Sequence, residues 1–351
     1  MSKLKAAIIG CGRPHRQSGA TGSGMSHAHA KAYNALPNAE LVAVADIVRA
    51  NAEAFQTEHN VPRIYESYAE MLEREQPDIV SICTWPHLHA PMTIDCAKAK
   101  VRAVHCEKPM ATTFGDAKRM TEECEKSGTQ LTFNHQRRFG GPFRQAKELL
   151  KSGRIGQLQR LEARCSNLYD WGTHWFDMMF FYNDETPVEW VIGQIDLRGA
   201  RPIFGAWVES QGLSHFKFQN GVYGTLFTGH EAVPLAENRL IGSEGVIEVG
   251  GGEGENLRVW AKGSSDWEKV PEGEGLHGGD NIQRAINDAL EALESGREPE
   301  LSARRALQAT ELIFATWESS RRGGRVELPL DIDDSPLVAR LEATGQIGAT
   351  S

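Results

Sequence analysis

Residues 4–12 read Leu-Lys-Ala-Ala-Ile-Ile-Gly-Cys-Gly, an apolar run that stops at two glycines one residue apart. Four consecutive small or branched apolar residues, Ala6–Ile9, predict a strand buried on both faces. Glycines directly after such a strand let the chain turn tightly and let its backbone approach a phosphate. A helix that follows supplies N–H donors and the positive end of its dipole. The third glycine of this fingerprint is displaced. Residues Arg13 to Ser23 separate Gly12 from a helix start at Gly24-Met25-Ser26, and either Gly24 or Ser26 takes the third position.

A lone G-x-G is a weak signal, and its weight comes from what lies around it. Further apolar runs occur at Leu41–Ala45, Ile79–Cys83, Ala103–Cys106 and Leu131–Phe133. Helical stretches separate them at His29–Leu36, Arg49–His59, Tyr68–Glu73, Pro91–Ala99 and Phe114–Lys126. Alternation of this kind predicts a doubly wound parallel sheet over residues 1–135. The second run ends in Asp46, whose carboxylate would accept hydrogen bonds from an adenosine ribose and repel a 2′-phosphate. NAD is favoured over NADP on that ground, although nearby Arg49 keeps NADP open.

Beyond Phe139 the pattern changes. A helix at Phe143–Lys151, a strand at Gln159–Arg164 and a helix at Trp175–Tyr182 lead into seven β-type segments between Trp190 and Trp260. Glycine-containing turns such as Asn220-Gly221 separate several of them, which predicts an α+β domain on a largely antiparallel open sheet over residues 136–330. Helices at Asn281–Glu294 and Ala303–Arg321 close it, and residues 331–351 read as a tail. The fold class is therefore α/β followed by α+β.

Composition narrows the function. A formal charge of −9 with no run of Lys or Arg argues against nucleic acid as a partner. No segment has the length of a membrane span, and the opening lacks a signal-peptide pattern, so the expectation is a cytoplasmic protein with no membrane partner. The six cysteines show no CxxC spacing and predict neither disulfides nor structural zinc. His87 and His89 have no third ligand in their motif, and no metal is expected there.

Three segments carry the chemistry: Thr84-Trp85-Pro86-His87-Leu88-His89, Glu107-Lys108-Pro109, and the run Asp170-Trp171-Gly172-Thr173-His174-Trp175-Phe176-Asp177. The first two follow apolar strands, at the carboxyl edge of the sheet where such folds bind ligands. With the glycine turn, Gln136-Arg137-Arg138-Phe139, Ser152-Gly153-Arg154-Ile155-Gly156 and Val326-Glu327-Leu328-Pro329-Leu330, they closely resemble the Gfo/Idh/MocA oxidoreductase family, whose N-terminal domain is a Rossmann fold. The resemblance covers nearly the whole chain. It implies an NAD(P)-dependent dehydrogenase acting on a hydroxyl-bearing carbon of a sugar, polyol or sugar derivative. It places Lys108 at the substrate hydroxyl, His174 as the proton-exchanging residue and Asp170 as its neighbouring carboxylate. It assigns the cofactor to Gly10, Gly12, Arg13, Ser26, Asp46, Thr84, Trp85, Pro86, His89, Glu107, Lys108 and Arg138, and it implies a homo-oligomer formed through the C-terminal sheet.

The chemistry is coherent without the family. Hydride transfer from an alcohol needs a base for the O–H proton, and a histidine with an ordinary pKa of about 6.5 suits that task. An ammonium beside it stabilises developing charge on the oxygen. Asp170 could face His174 if the two span a first helical turn.

The path from Gly156 to Asp170 is short for the family, which leaves Arg164, Asn167, Tyr169 and Trp171 to line the substrate and predicts an open pocket. Arg13, His15 and Arg16 in the insertion, and His277 before the penultimate helix, are further candidates. Two other readings stay open: a redox-neutral glycoside hydrolase or lyase that uses tightly bound NAD for transient oxidation, and a dinucleotide-binding regulator without turnover.

Overall fold

Each apolar run identified above becomes a buried strand. The computed structural model describes residues 3–12, 24–229, 237–251, 256–271, 273–276, 278 and 280–348. The chain divides into two units: Met1–Thr112, Asp116–Gln136 and Gly279–Ala306 make the first, and Thr113–Gly115, Arg137–Gly278 and Leu307–Ser351 the second.

The first unit alternates β1 (Leu4–Ile9), α1 (Met25–Ala35), β2 (Ala39–Ala45), α2 (Arg49–His59), β3 (Arg63–Tyr65), α3 (Tyr68–Glu75), β4 (Ile79–Ile82), α4 (Pro86–Lys98), β5 (Ala103–Cys106), α5 (Phe114–Ser127) and β6 (Gln130–Phe133). The strands form one sheet in the order β3-β2-β1-β4-β5-β6, parallel throughout. Its order reverses direction between β1 and β4, so the loops after these two strands open a crevice at the sheet's carboxyl edge. Local signals set several helix ends. Ser67 caps α3 by accepting from the Glu70 amide, and α4 begins at Pro86, where a missing N–H costs nothing.

The second unit continues with α6 (Gly141–Lys151), β7 (Leu158–Cys165), α7 (Gly172–Tyr182), β8 (Val188–Asp196), β9 (Arg201–Ile203), β10 (Ala206–Val208), β11 (Gln211–Phe218), β12 (Tyr223–Thr228), β13 (Asn238–Gly242), β14 (Gly245–Val249), β15 (Leu257–Ala261) and β16 (Glu268–Lys269). After α8 (Asn281–Ser295) come α9 (Ala303–Arg322), β17 (Val326–Glu327) and α10 (Pro336–Ala343). Nine strands form a sheet ordered β16-β15-β14-β13-β7-β12-β11-β8-β17. Every pairing in it is antiparallel except β7 with β12.

One face of this sheet is the core. Val191, Ile195, Phe216, Phe218 and Leu226 point into it from alternate strand positions, against α7, all of whose residues are buried, and against Phe314 and Trp317 of α9. The opposite face carries Ile192, Leu213, Tyr223 and Phe227 in exposed positions.

Two elements differ from the sequence expectation. The helix α8, expected within the 136–330 block, packs its Ile286, Ala289 and Leu290 into the first unit's core with Ala30, Tyr33 and Ala103. The expected tail contains α10, capped by Ser335, with Leu337 and Leu341 fully buried in the second unit's core. Among the described residues no helix is long and apolar enough to cross a membrane.

The sheet and α9 approach closely at Gly193, where an added Cβ would stand 2.4 Å from the Thr316 carbonyl oxygen. Gly193→Ala is expected to cost about 1–3 kcal/mol of stability, because the obstructing atom is backbone and cannot swing away. Urea denaturation checks this; an unchanged midpoint would contradict the packing described.

Candidate active site

The glycine turn is shaped by two different steric demands. Gly10 has φ +89°, and a Cβ there would lie 2.8 Å from the Cys83 carbonyl oxygen, so only glycine allows β1 and β4 to leave the sheet together. Gly12 has φ +68°, a left-handed backbone that glycine adopts without strain. A glycine turn between a parallel strand and a helix is what a pyrophosphate needs, so the turn fits a dinucleotide. The Asp46 carboxylate anchors it: Oδ2 accepts from the Cys11 and Gly12 amides at 2.9 and 3.1 Å, and Oδ1 from the Val48 amide at 2.8 Å. Gly24, with φ 64°, is the N-cap of α1, and the buried Ser26 hydroxyl donates to the Cys11 carbonyl at 2.8 Å. Arg13, expected at the pyrophosphate, lies outside the described residues, as do His15, Arg16 and His277.

The loop after β4 presents Trp85, 42% exposed, at the N-cap of α4. Behind it His89 is fully buried, its ring nitrogens 2.8 Å from the Pro109 carbonyl and 3.1 Å from the Thr84 carbonyl. This one imidazole ties the β4 loop to the Glu107-Lys108-Pro109 turn. Burial pushes its pKa below the usual histidine value, which outweighs the hydrogen bonds to those carbonyls.

Glu107 is buried and faces α1 and β6. Its Oε1 lies 2.8 Å from His29 Nε2 and accepts from Asn134 Nδ2 at 2.7 Å. The other His29 ring nitrogen contacts the Ser81 hydroxyl at 3.0 Å, and Ser81 also bonds Tyr33 at 2.8 Å. Burial alone would raise the Glu107 pKa; hydrogen bonding and charge from His29, with help from Asn134 and Lys108, bring it down to about 2.

In the second unit the segment before α7 is held from below. Asn167 Oδ1 accepts from the Tyr169 and Asp170 amides at 3.1 and 2.6 Å, closing an Asx turn. Glu209, itself buried, accepts from the Leu168 amide at 2.6 Å, from Trp317 Nε1 at 3.2 Å and from the Thr228 hydroxyl at 3.2 Å. Burial raises its pKa despite these donors. Because α7 starts at Gly172, Asp170 stands in the turn before it, outside the helical spacing assumed for the Asp170–His174 pair. His174 occupies the first turn of α7 and is 4% exposed. Trp171 is 41% exposed, with the Arg137 guanidinium 5.2 Å from its ring centre and 4.5 Å from that of Trp175. Burial lowers the Arg137 pKa to about 10, against the opposing pull of Glu237.

Residues 4–135 match the family model described as an oxidoreductase family with an NAD-binding Rossmann fold. That segment carries the NAD-binding Rossmann domain of the Gfo/Idh/MocA oxidoreductase family. Over 96% of its length it is 27% identical to a D-apiose dehydrogenase of Paraburkholderia graminis, covering 93% of that protein. Over 70% it is 26% identical to a myo-inositol 2-dehydrogenase of Thermotoga maritima, covering 74% of it. Among solved structures, the fold resembles an oxidoreductase from Agrobacterium radiobacter in complex with NAD+, L-tartaric acid and magnesium. That match has a TM-score of 0.77 at 22% identity, covering 93% of this chain and 98% of that one. It also resembles the WlbA dehydrogenase from Bordetella pertussis with NADH and UDP-GlcNAcA, with a TM-score of 0.75 at 24% identity over 94% of this chain and all of that one.

Several sequence assignments move in the structure. Arg138, expected at the cofactor, is completely buried in a triad. Its guanidinium donates to both Asp177 oxygens at 2.8 Å and to Glu185 at 2.5 Å, which hold its pKa above the usual arginine value despite burial. Tyr169, expected to line the substrate, stacks at 5.8 Å on Trp317 in the core. Asn167 spends its amide oxygen on the turn. Arg164 alternates with the buried Leu161 and Ala163, so it shares the open sheet face with Arg160 and Glu162. Glu107 faces His29 and Asn134 within its own unit. Sequence reasoning missed His29, Asn134, Glu209 and Arg137, each a polar residue inside or beside an apolar stretch.

The Glu107 carboxyl is depressed in the folded state, so its stabilising contribution is complete above pH 4.5 and lost as pH falls towards 2. Glu107→Gln is expected to cost about 3 kcal/mol at pH 7, with the difference from wild type shrinking between pH 4.5 and 2. Denaturation midpoints across that range check it; a difference independent of pH would contradict an ionised Glu107.

Proposed function

We propose that this oxidoreductase removes hydride from a secondary hydroxyl of a sugar or polyol, with NAD as acceptor. The substrate class is supported by the near full-length similarity to D-apiose dehydrogenase, and that observation carries the reading. The redox-neutral alternative is not favoured, since the relatives above are named dehydrogenases.

When bound, the nicotinamide ring would take the hydride. The chain's own residues do the rest. The left-handed backbone at Gly12 lets the turn approach the pyrophosphate, and the Asp46 carboxylate at the end of β2 disfavours a 2′-phosphate. Lys108 places its ammonium at the substrate oxygen and stabilises charge as it develops there. The His174 imidazole takes the hydroxyl proton. Trp171 offers an exposed ring for stacking on the apolar face of a sugar, braced by Arg137.

A panel of pentoses, hexoses, polyols and glycosides assayed for NADH formation tests the reading. At least one is expected to give net NADH, and Lys108→Met or His174→Gln should each lower kcat/KM by about 10²–10⁴-fold with the fold intact. Asp46→Ala should cut the NAD-over-NADP preference at least tenfold. No net NADH from any member, or a Lys108→Met enzyme with full activity, would overturn it.

We also propose that the exposed face of the nine-stranded sheet joins two copies of the chain. Ile192, Leu213, Tyr223 and Phe227 form an apolar patch on adjacent strands, of the kind that marks an interface. The double change Ile192→Asp and Phe227→Asp is expected to halve the mass measured by light scattering. An unchanged mass would remove this face from the assembly. The protein's work is placed in the cytoplasm, a reading supported by six free cysteines.

A further inference from the structure

Away from the glycine turn, the first unit gathers a second set of ligand-type side chains. His27 lies in the first turn of α1, while Glu58 and His59 are the last two residues of α2. His27 Nδ1 lies 2.7 Å from His59 Nε2 and 3.3 Å from Glu58 Oε2, and Glu58 Oε1 lies 3.6 Å from His59 Nε2. One ligand atom from each of the three residues falls within 4.8 Å of the others.

Tetrahedral zinc holds its nitrogen and oxygen ligands at about 2.0–2.2 Å, which spaces them about 3.3–3.5 Å apart. The His27–Glu58 and Glu58–His59 separations approach that spacing, each through a different Glu58 oxygen. The third is a hydrogen-bond distance between the two imidazoles. Widening it asks for a shift of about half an ångström.

The surroundings favour a prepared site. Both imidazoles are buried, and the Phe55 ring packs against them with centroids at 4.8 and 4.4 Å, which restricts their orientation. Asn34 Nδ2 donates to the His59 carbonyl at 3.0 Å and fixes the end of α2. The Glu58 side chain is 47% exposed and gives a path from solvent. Lys31, one turn beyond His27, is the cation such a site must tolerate, and the Glu58 carboxylate offsets it.

We propose that His27, Glu58 and His59 bind a zinc-type divalent cation that ties α1 to α2, with water in the fourth position. Two imidazoles and one carboxylate suit Zn²⁺, and Co²⁺ as its spectroscopic substitute, better than Mg²⁺ or Ca²⁺. No redox step is involved, and the test does not depend on turnover.

The full chain, stripped with a chelator, would be titrated with Zn²⁺ by calorimetry and with Co²⁺ by visible absorption. The expected result is one Zn²⁺ per chain, tetrahedral Co²⁺ bands displaced by Zn²⁺, and a Tm raised by the metal. Glu58→Gln, changed on its exposed side, should fold normally and bind Zn²⁺ at least tenfold more weakly; His59→Gln should remove the Co²⁺ bands. No stoichiometric binding would overturn the proposal, leaving a buried histidine pair. Binding unchanged in Glu58→Gln would also overturn it, by placing the metal elsewhere.

Discussion

A carboxylate withdrawn from water at the end of β5 organises the first unit. Glu107 has lost the solvent that would stabilise its charge, and an unpaired ion in that position would cost several kcal/mol. His29 from α1 and Asn134 from the end of β6 meet it, and Ser81 of β4 holds His29 in turn. Four elements of the first unit are thereby locked at the sheet's carboxyl edge. The next residue is Lys108, whose backbone direction follows from that lock. His89 performs a similar service on the other side, bridging the carbonyls of Thr84 and Pro109. The loops of the nucleotide edge are thus held by buried polar groups whose partners are other loops and strand ends.

The second unit repeats the device with different residues. Glu209 supports the turn before α7 from within the core, and Asn167 closes that turn from inside. Arg138 binds Asp177 at mid-helix, which fixes α7 along its length. Breaking one member of such a group leaves a buried charge uncompensated, so the cost in stability exceeds what the intact pair contributes. His174, for which proton transfer is proposed, therefore stands on a helix whose start and middle are both tethered.

The fold was largely readable because its signals are local. Continuous apolar runs named β1, β2, β4, β5 and β6, and Asn220-Gly221 marked the hairpin between β11 and β12. Strand β3 escaped notice, since Arg63-Ile64-Tyr65 is short, charged at its start and only partly buried. Chain order could not show that α8 returns to the first unit; its apolar stripe is equally compatible with either core. The helix α10 was legible in principle, from Ser335-Pro336 followed by Leu337 and Leu341 at helical spacing. At the site, glycines and motif residues could be named, yet their partners could not. In Arg137-Arg138 nothing local distinguishes the arginine beside Trp171 from the one buried against Asp177. His27 and His59 sit on different helices, so no spacing motif joins them.

The proposed roles of Lys108 and His174 are tested most directly by a double-mutant cycle in kcat/KM for Lys108→Met and His174→Gln. Groups that act as a unit give strongly non-additive losses. The double variant is predicted to be little slower than the slower single variant. Losses that simply multiply would show that residues 108 and 174 act independently, and would contradict the account.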